Sequence, residues 1–280
     1  MYLNLNSGAL VGGVSFEQSV ELASELGFGG VSPDIGYLAE LSPGDLTVLA
    51  GQFADSGLRW GAGGIGVNPG TADDAEFASS LEQLRAHAAV MQRAGIDRTV
   101  RYLWPTSDDL TYEQNLELHA SRIGKIGAAL AEHGVRLGLE YVGPKTLWST
   151  GKYPFVRTLS QTRDLITASG ATNVGLCLDT FHWFTAGESA DDLRQLTDSD
   201  VISVDLNDGV AGVAADDQID GQRELPGATG VIDVAAFVGA LKDIGYTGPV
   251  QAEPFNAVLK SLEPREAIQR TVDSLKASVG

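Results

Sequence analysis

The sequence has one cysteine, Cys177, among 280 residues, so no intrachain disulfide can form. That fits a reducing compartment, and the expected location is the cytoplasm. Basic residues are scarce: 19 Lys and Arg stand against 37 Asp and Glu, a formal charge of −18. Nucleic acid and anionic membrane surfaces both need a basic footprint, so neither is an expected partner. Histidine is rarer still, with four copies. The N-terminal stretch MYLNLNSGAL lacks a basic segment followed by a long apolar run, so no secretory signal is expected. No apolar run is long enough to span a bilayer. Glycine-rich GALVGG (8–13) and GAGGIG (61–66) lack the G-x-G-x-x-G of a dinucleotide turn.

What is there is an alternation of short apolar runs and longer amphipathic ones. Strands are expected near 2–6, 29–34, 58–65, 99–104, 136–141, 174–179, 201–206 and 249–253. Helices are expected near 16–26, 43–56, 75–95, 112–133, 159–169, 189–196, 233–244 and 259–277. Ser15 with Gln18, Thr111 with Gln114 and Thr158 with Gln161 have capping-box spacing. Eight strand–helix units in one chain of this length predict an α/β fold, a single-domain (β/α)₈ TIM barrel over residues 1–280. A doubly wound open sheet is the alternative. Residues 207–230 then form one long loop on the active face.

The last four expected strands all end in an acid: Glu140, Asp179, Asp205 and Glu253. Strand side chains alternate between faces. Leu137 and Leu139, Leu176 and Leu178, Ile202 and Val204, and Val250 and Ala252 should therefore face the helices. The acids should face the barrel axis, above Gly138, Cys177, Ser203 and Gln251. The C-terminal ends of barrel strands are where such enzymes place their chemistry. Four like charges converging there would repel one another. A divalent cation removes the conflict, and an all-carboxylate donor set favours Mn²⁺ or Mg²⁺, with Zn²⁺ or Co²⁺ also able to bind. A single strand-end acid is better explained as a helix cap or ion-pair partner; four in equivalent positions are not.

The motifs LGLEYVGPKT (137–146), VGLCLDTFHW (174–183), VDLNDG (204–209), RELPGATGVID (223–233) and GYTGPVQAEPF (245–255) resemble those of the xylose-isomerase-like barrel superfamily. That group includes inosose isomerases and dehydratases, ketose 3-epimerases, hydroxypyruvate isomerases and endonuclease IV. The resemblance implies that Glu140, Asp179 and Glu253 are metal ligands. Asp205 stands where many relatives have a histidine, a departure that adds negative charge. The resemblance also makes His182 a contact to a substrate hydroxyl or to a metal ligand, Arg223 a substrate contact, and Glu140 and Glu253 the acid and base. Trp104, Trp148 and Trp183 follow expected strands and are candidates for an apolar wall against a sugar. Asn6 is a candidate for the pocket floor. His87, His119 and His133 fall on expected helices and look structural. Asp208 is expected to orient the following loop, and Glu188 and Asp191 to sit in a helix first turn.

The function so implied is a metal-dependent isomerase or epimerase of a ketose, aldose or inosose, acting by proton transfer beside a metal-bound carbonyl. Dehydration of an inosose or a dehydroshikimate-like acid uses the same proton abstraction and is the alternative. Phosphodiester cleavage of the endonuclease IV type needs many histidines and a basic surface, which this chain lacks. A non-catalytic sugar-binding barrel is a fourth reading. The expected partner is a small sugar or polyol, and homo-oligomerisation stays open.

Overall fold

The computed structural model describes residues 1–280. Its strands are β1 (Tyr2–Leu5), β2 (Gly30–Val31), β3 (Arg59–Trp60), β4 (Gly63–Gly64), β5 (Arg98–Leu103), β6 (Thr106–Ser107), β7 (Arg136–Tyr141), β8 (Tyr153–Pro154), β9 (Val174–Asp179), β10 (Val201–Leu206) and β11 (Pro249–Ala252). Nine of them form one sheet in the order β3-β2-β1-β11-β10-β9-β7-β5-β4. Every pairing in that sheet is parallel. The ends of the order, β3 and β4, are halves of the single strand expected at 58–65. Its first half pairs with β2 and its second half with β5. The sheet thus closes through one strand, and the circuit is an eight-fold barrel wrapped by helices. No helix is long and apolar enough to cross a membrane.

The helix starts follow the capping chemistry. Ser15 and Thr111 form complete capping boxes with Gln18 and Gln114. Thr158 caps only half-way: its hydroxyl accepts from the Gln161 amide, while the Gln161 side chain accepts from Arg157 N–H instead. Leu137, Leu139, Leu176, Leu178, Val204, Val250 and Ala252 belong to the apolar layer between sheet and helices. Ile202 departs from this alternation. The pairing of β10 with β9 shifts register between Val201 and Ser203. Ile202 consequently turns into the barrel, where its side chain fills the space left by Gly138 and Gly175. A Cβ on either glycine would lie 3.0–3.1 Å from Ile202 atoms.

Several small elements escape the sequence pattern. Helices Ser7–Leu10, Ile35–Glu40 and Ala257–Lys260 are short. β6 and β8 form a separate antiparallel ladder on the rim. The expected last helix, 259–277, is Pro264–Val279 instead, with Pro264 at its first turn. Residues 207–230 do form a long loop, interrupted by a 3₁₀ turn at Ala215–Asp217 and an antiparallel bridge between Asp208 and Glu224.

Candidate active site

The four strand-end acids meet at the C-terminal mouth of the barrel. Glu140 and Asp205 lie at the ends of β7 and β10, Asp179 ends β9, and Glu253 follows β11. Asp179 and Asp205 are register partners on neighbouring strands. Asp179 is fully buried and Asp205 nearly so. Glu140 and Glu253 keep 14% and 25% side-chain exposure, so these two face the open mouth.

The acids are not equivalent. Both oxygens of Asp179 are occupied. Oδ1 accepts from the Phe181 and His182 amides at 2.6 and 3.2 Å, capping helix Thr180–Thr185. Oδ2 accepts from Asn207 Nδ2 at 2.7 Å and Arg223 Nη1 at 2.9 Å. Glu253 also accepts from Arg223, at 3.2 Å. By contrast, Glu140 Oε1 and Asp205 Oδ1 are buried with no hydrogen-bond partner, as is Ser203 Oγ beneath them. The other Asp205 oxygen accepts from Cys177 Sγ, at 3.4 Å. Buried polar atoms are normally satisfied, so two bare carboxylate oxygens in one cluster call for a ligand.

Electrostatics agree. Burial, then Glu253, Asp205 and Asp179, push Glu140 well above the carboxylate range. Burial raises Asp179 to about 7 against the pull of Arg223, and raises Glu253 to about 8 with help from Asp205. Asp205 is also raised by burial. Without a cation the cluster therefore retains protons at neutral pH. Burial raises the Cys177 thiol as well, so it is a donor to Asp205 and not a thiolate.

Arg223 is the cluster's internal cation. It is 2% exposed and also reaches Asp220 Oδ1 at 2.7 Å. Its guanidinium lies between the rings of Phe181 and Phe255, 4.8 and 4.7 Å from their centroids. Phe255 adopts φ 44°, a left-handed conformation unusual for a non-glycine residue, in bringing its ring there. His182 Nε2 lies 3.3 Å from Arg223 Nη2, 3.7 Å from Glu140 and 3.8 Å from Asp220. Burial and Arg223 hold the imidazole neutral, so the two carboxylate contacts are not ion pairs.

Ligand-type atoms within 4.8 Å of one another form two trios sharing Glu140: Glu140–Cys177–Asp205 and Glu140–Asp179–His182. Three of the four expected acids are thus drawn together around Glu140, and Glu253 is linked to them through Arg223, whose Nη1 donates to both Asp179 and Glu253. The remaining candidates scatter. Asn6 lines a separate cavity with Ser32, Ile35 and His87. Trp104 is 51% exposed and lines a large cavity beside the mouth. One face of Trp148 is covered by Arg157, at 4.3 Å. Trp183 is no part of a mouth wall: it is buried against Phe237, and its indole N–H donates to Ser189 O.

Two further acids have defined structural parts, and Asp191 sits in a helix first turn as expected. Asp208 is fully buried and accepts from four backbone amides, those of Gly209, Thr229, Gly230 and Ile232. It ties both ends of the long loop together, as the sequence suggested. Glu188 precedes its helix and instead accepts from Tyr141 Oη at 2.5 Å and Leu159 N at 2.6 Å. Burial raises it to about 7. Sequence reasoning missed Asn207, which donates to Asp179 and accepts from Glu253 N–H at 2.9 Å. It also missed Asp220. The available signals were an amide directly after the strand, in VDLND, and an acid three residues before the arginine, in DGQR.

Comparison with known proteins fits this geometry. The family description "Xylose isomerase-like TIM barrel" matches residues 20–278. The chain belongs to this family. A xylose isomerase domain protein from Alicyclobacillus acidocaldarius is 31% identical, with 99% of this chain and 96% of that one superposed at a TM-score of 0.86. The inosose isomerase of Bacillus velezensis is 25% identical over 210 residues, which are 74% of this chain and 71% of that enzyme. The structure of the IOLI protein with a bound zinc atom superposes over the whole chain at a TM-score of 0.84, with 22% identity. In this family member position 205 carries a carboxylate, with Cys177 donating to it and Asn207 donating to Asp179.

Proposed function

We propose that this xylose isomerase-like barrel is a divalent-metal-dependent isomerase or epimerase of an inosose or ketose. The observation that carries this reading is the pair of bare, buried oxygens on Glu140 and Asp205, set among two further acids at the C-terminal mouth. Uncompensated buried acids are costly, and a cation is the physical remedy. Glu140, Asp205 and Asp179 would hold it, with Glu253 completing the set. The donor set is mainly carboxylate, which suits Mn²⁺ or Mg²⁺. The nearby neutral His182 also gives Zn²⁺ a partner. When bound, the ion would polarise the substrate carbonyl and balance the negative charge that develops.

The chain's own groups supply the rest. Glu140 and Glu253 alone among the four acids reach the open mouth, so one takes the proton beside the carbonyl and the other returns it. Arg223 is immobilised by two rings and three acids and orients Glu253. Asn207 fixes the backbone of Glu253 and one oxygen of Asp179, keeping acid and ligand in register. The inosose isomerase relative supports a polyhydroxylated carbonyl substrate of this kind.

The test is NMR of inososes and ketohexoses with Mn²⁺-reconstituted protein in D₂O. The expected result is deuterium incorporated at the carbon beside the carbonyl, with no loss of water. Elimination of water would transfer the assignment to a dehydratase. Absence of exchange with every divalent ion would overturn the proposal.

A further inference from the structure

Beside the acid cluster lies a cavity of about 760 Å³ that the proposed chemistry does not use. It is bounded by the loop after β4, the segment after β5 and the first half of helix Tyr112–Ala131. Tyr102 on its wall is the register partner of Glu140 on the neighbouring strand, which sets the cavity on the same side of the barrel mouth. Its volume lies in the upper part of the roughly 300–1,000 Å³ range of small-molecule pockets. A six-carbon sugar or polyol held at the acids would leave it to water.

Three features give the cavity a chemical character. First, Tyr102 and Trp104 are 47% and 51% exposed, and both line it. They are two of only five large hydrophobic residues so exposed in the chain. Exposed rings with polar neighbours suit a ligand that has one apolar face and a polar edge. Second, His119 is 4% exposed, and its Nδ1 lies 2.9 Å from the carbonyl of Asn115. A carbonyl only accepts, so Nδ1 carries the proton and Nε2 offers a lone pair. Nε2 has no protein partner. Burial lowers this imidazole to about 4, which keeps it neutral. Third, a Cβ at Gly70 would stand 3.1 Å from Nε2, so glycine leaves that acceptor uncovered. Arg122 is buried and donates to the carbonyl of Pro69 and to Asp74, pinning the loop that carries Gly70.

The charge balance excludes anions. The one buried cation, Arg122, is already spent on Asp74 and the loop carbonyls, while Asp109 and Glu117 add negative charge to the lining. The remaining polar lining is hydroxyl and amide, from Asn68, Thr71, Thr106, Ser107, Gln114 and Ser121, with Leu110 and Leu118 as apolar wall. We propose that this cavity is a second carbohydrate-ring subsite, so that the substrate is a glycoside or disaccharide whose reacting ring sits at the acids and whose other ring lies against Trp104 and Tyr102 with a hydroxyl donating to His119. This deepens the proposed function and rests on it for the identity of the reacting ring. The binding itself does not need the metal.

Calorimetric titration of chelator-treated protein with cellobiose, maltose, glucose and myo-inositol tests it. At least one disaccharide is expected to bind tenfold or more tighter than either monosaccharide-sized probe. Trp104→Ala should weaken that binding about tenfold. Gly70→Ala, which covers Nε2 without a strained backbone, should do the same with an unchanged melting temperature. Equal binding of all four probes, no binding of any, or indifference to both Trp104→Ala and Gly70→Ala would overturn the subsite. A failure of metal-dependent exchange with intact disaccharide binding would overturn the catalytic reading alone.

Discussion

Asp208→Ala should destabilise the protein by about 4 kcal/mol, because of where its four donors are left. The carboxylate accepts from Gly209 and Ile232 through one oxygen, at 2.8 and 2.9 Å, and from Thr229 and Gly230 through the other, at 2.9 and 2.8 Å. Thr229 and Gly230 are exposed, so water can replace the carboxylate there. Gly209 and Ile232 are buried, and each stranded amide costs about 1–3 kcal/mol. Two of them give the figure. Asp208→Asn should cost about half as much. Its amide oxygen can serve the buried pair while its NH₂ meets the pair that water can rescue. Urea unfolding at pH 7 in chelator reads both values. A loss under about 1 kcal/mol for alanine, or a greater loss for asparagine than for alanine, would refute the reasoning.

Two other consequences follow from the same interior. In metal-free protein Asp179 and Glu253 titrate near 7 and 8, against about 4 in an unfolded chain. The folded state therefore binds more protons between those values, so stability should fall as pH rises from 5.5 to 8.5. Saturating Mn²⁺ should flatten that slope, and urea midpoints at three pH values check both; a rise in metal-free stability over this window would contradict it. Gly138→Val should cost about 1–3 kcal/mol through overpacking, since its Cβ would lie 3.0 Å from Ile202 Cβ. Paired Gly138→Val and Ile202→Gly, which removes the contacted Cβ, should recover part of that loss in thermal melts; simple additivity would show that the two do not share one space.

The barrel was legible because its strands and helices have different periods and its helix starts carry their caps. The acids at positions 140, 179, 205 and 253 were legible because alternation puts strand-end residues two apart on one face. Ile202 was misassigned because a register shift breaks alternation locally, and one residue of slip reverses a side chain's direction. Trp183 looked like a mouth residue because it follows a strand, but the helix capped by Asp179 starts at once and turns the indole inward. The division of labour among the acids was hidden for a similar reason. It depends on Arg223 and Asp220, which arrive from a loop whose path is set by Asp208 and carries no periodic signal. His119, expected to be structural, is buried on its helix and packed against Phe155, and its uncovered Nε2 depends on a glycine 49 positions earlier in the chain.

The central claim is that a cation belongs between Glu140 and Asp205. Calorimetric titration of chelator-stripped protein with Mn²⁺ tests it most directly, comparing wild type with Glu140→Gln and Asp205→Asn. One ion per chain is expected, bound with release of protons from the cluster, and at least tenfold more weakly in each variant. Failure of wild type to bind Mn²⁺, Mg²⁺ or Zn²⁺, or undiminished binding by both variants, would contradict it.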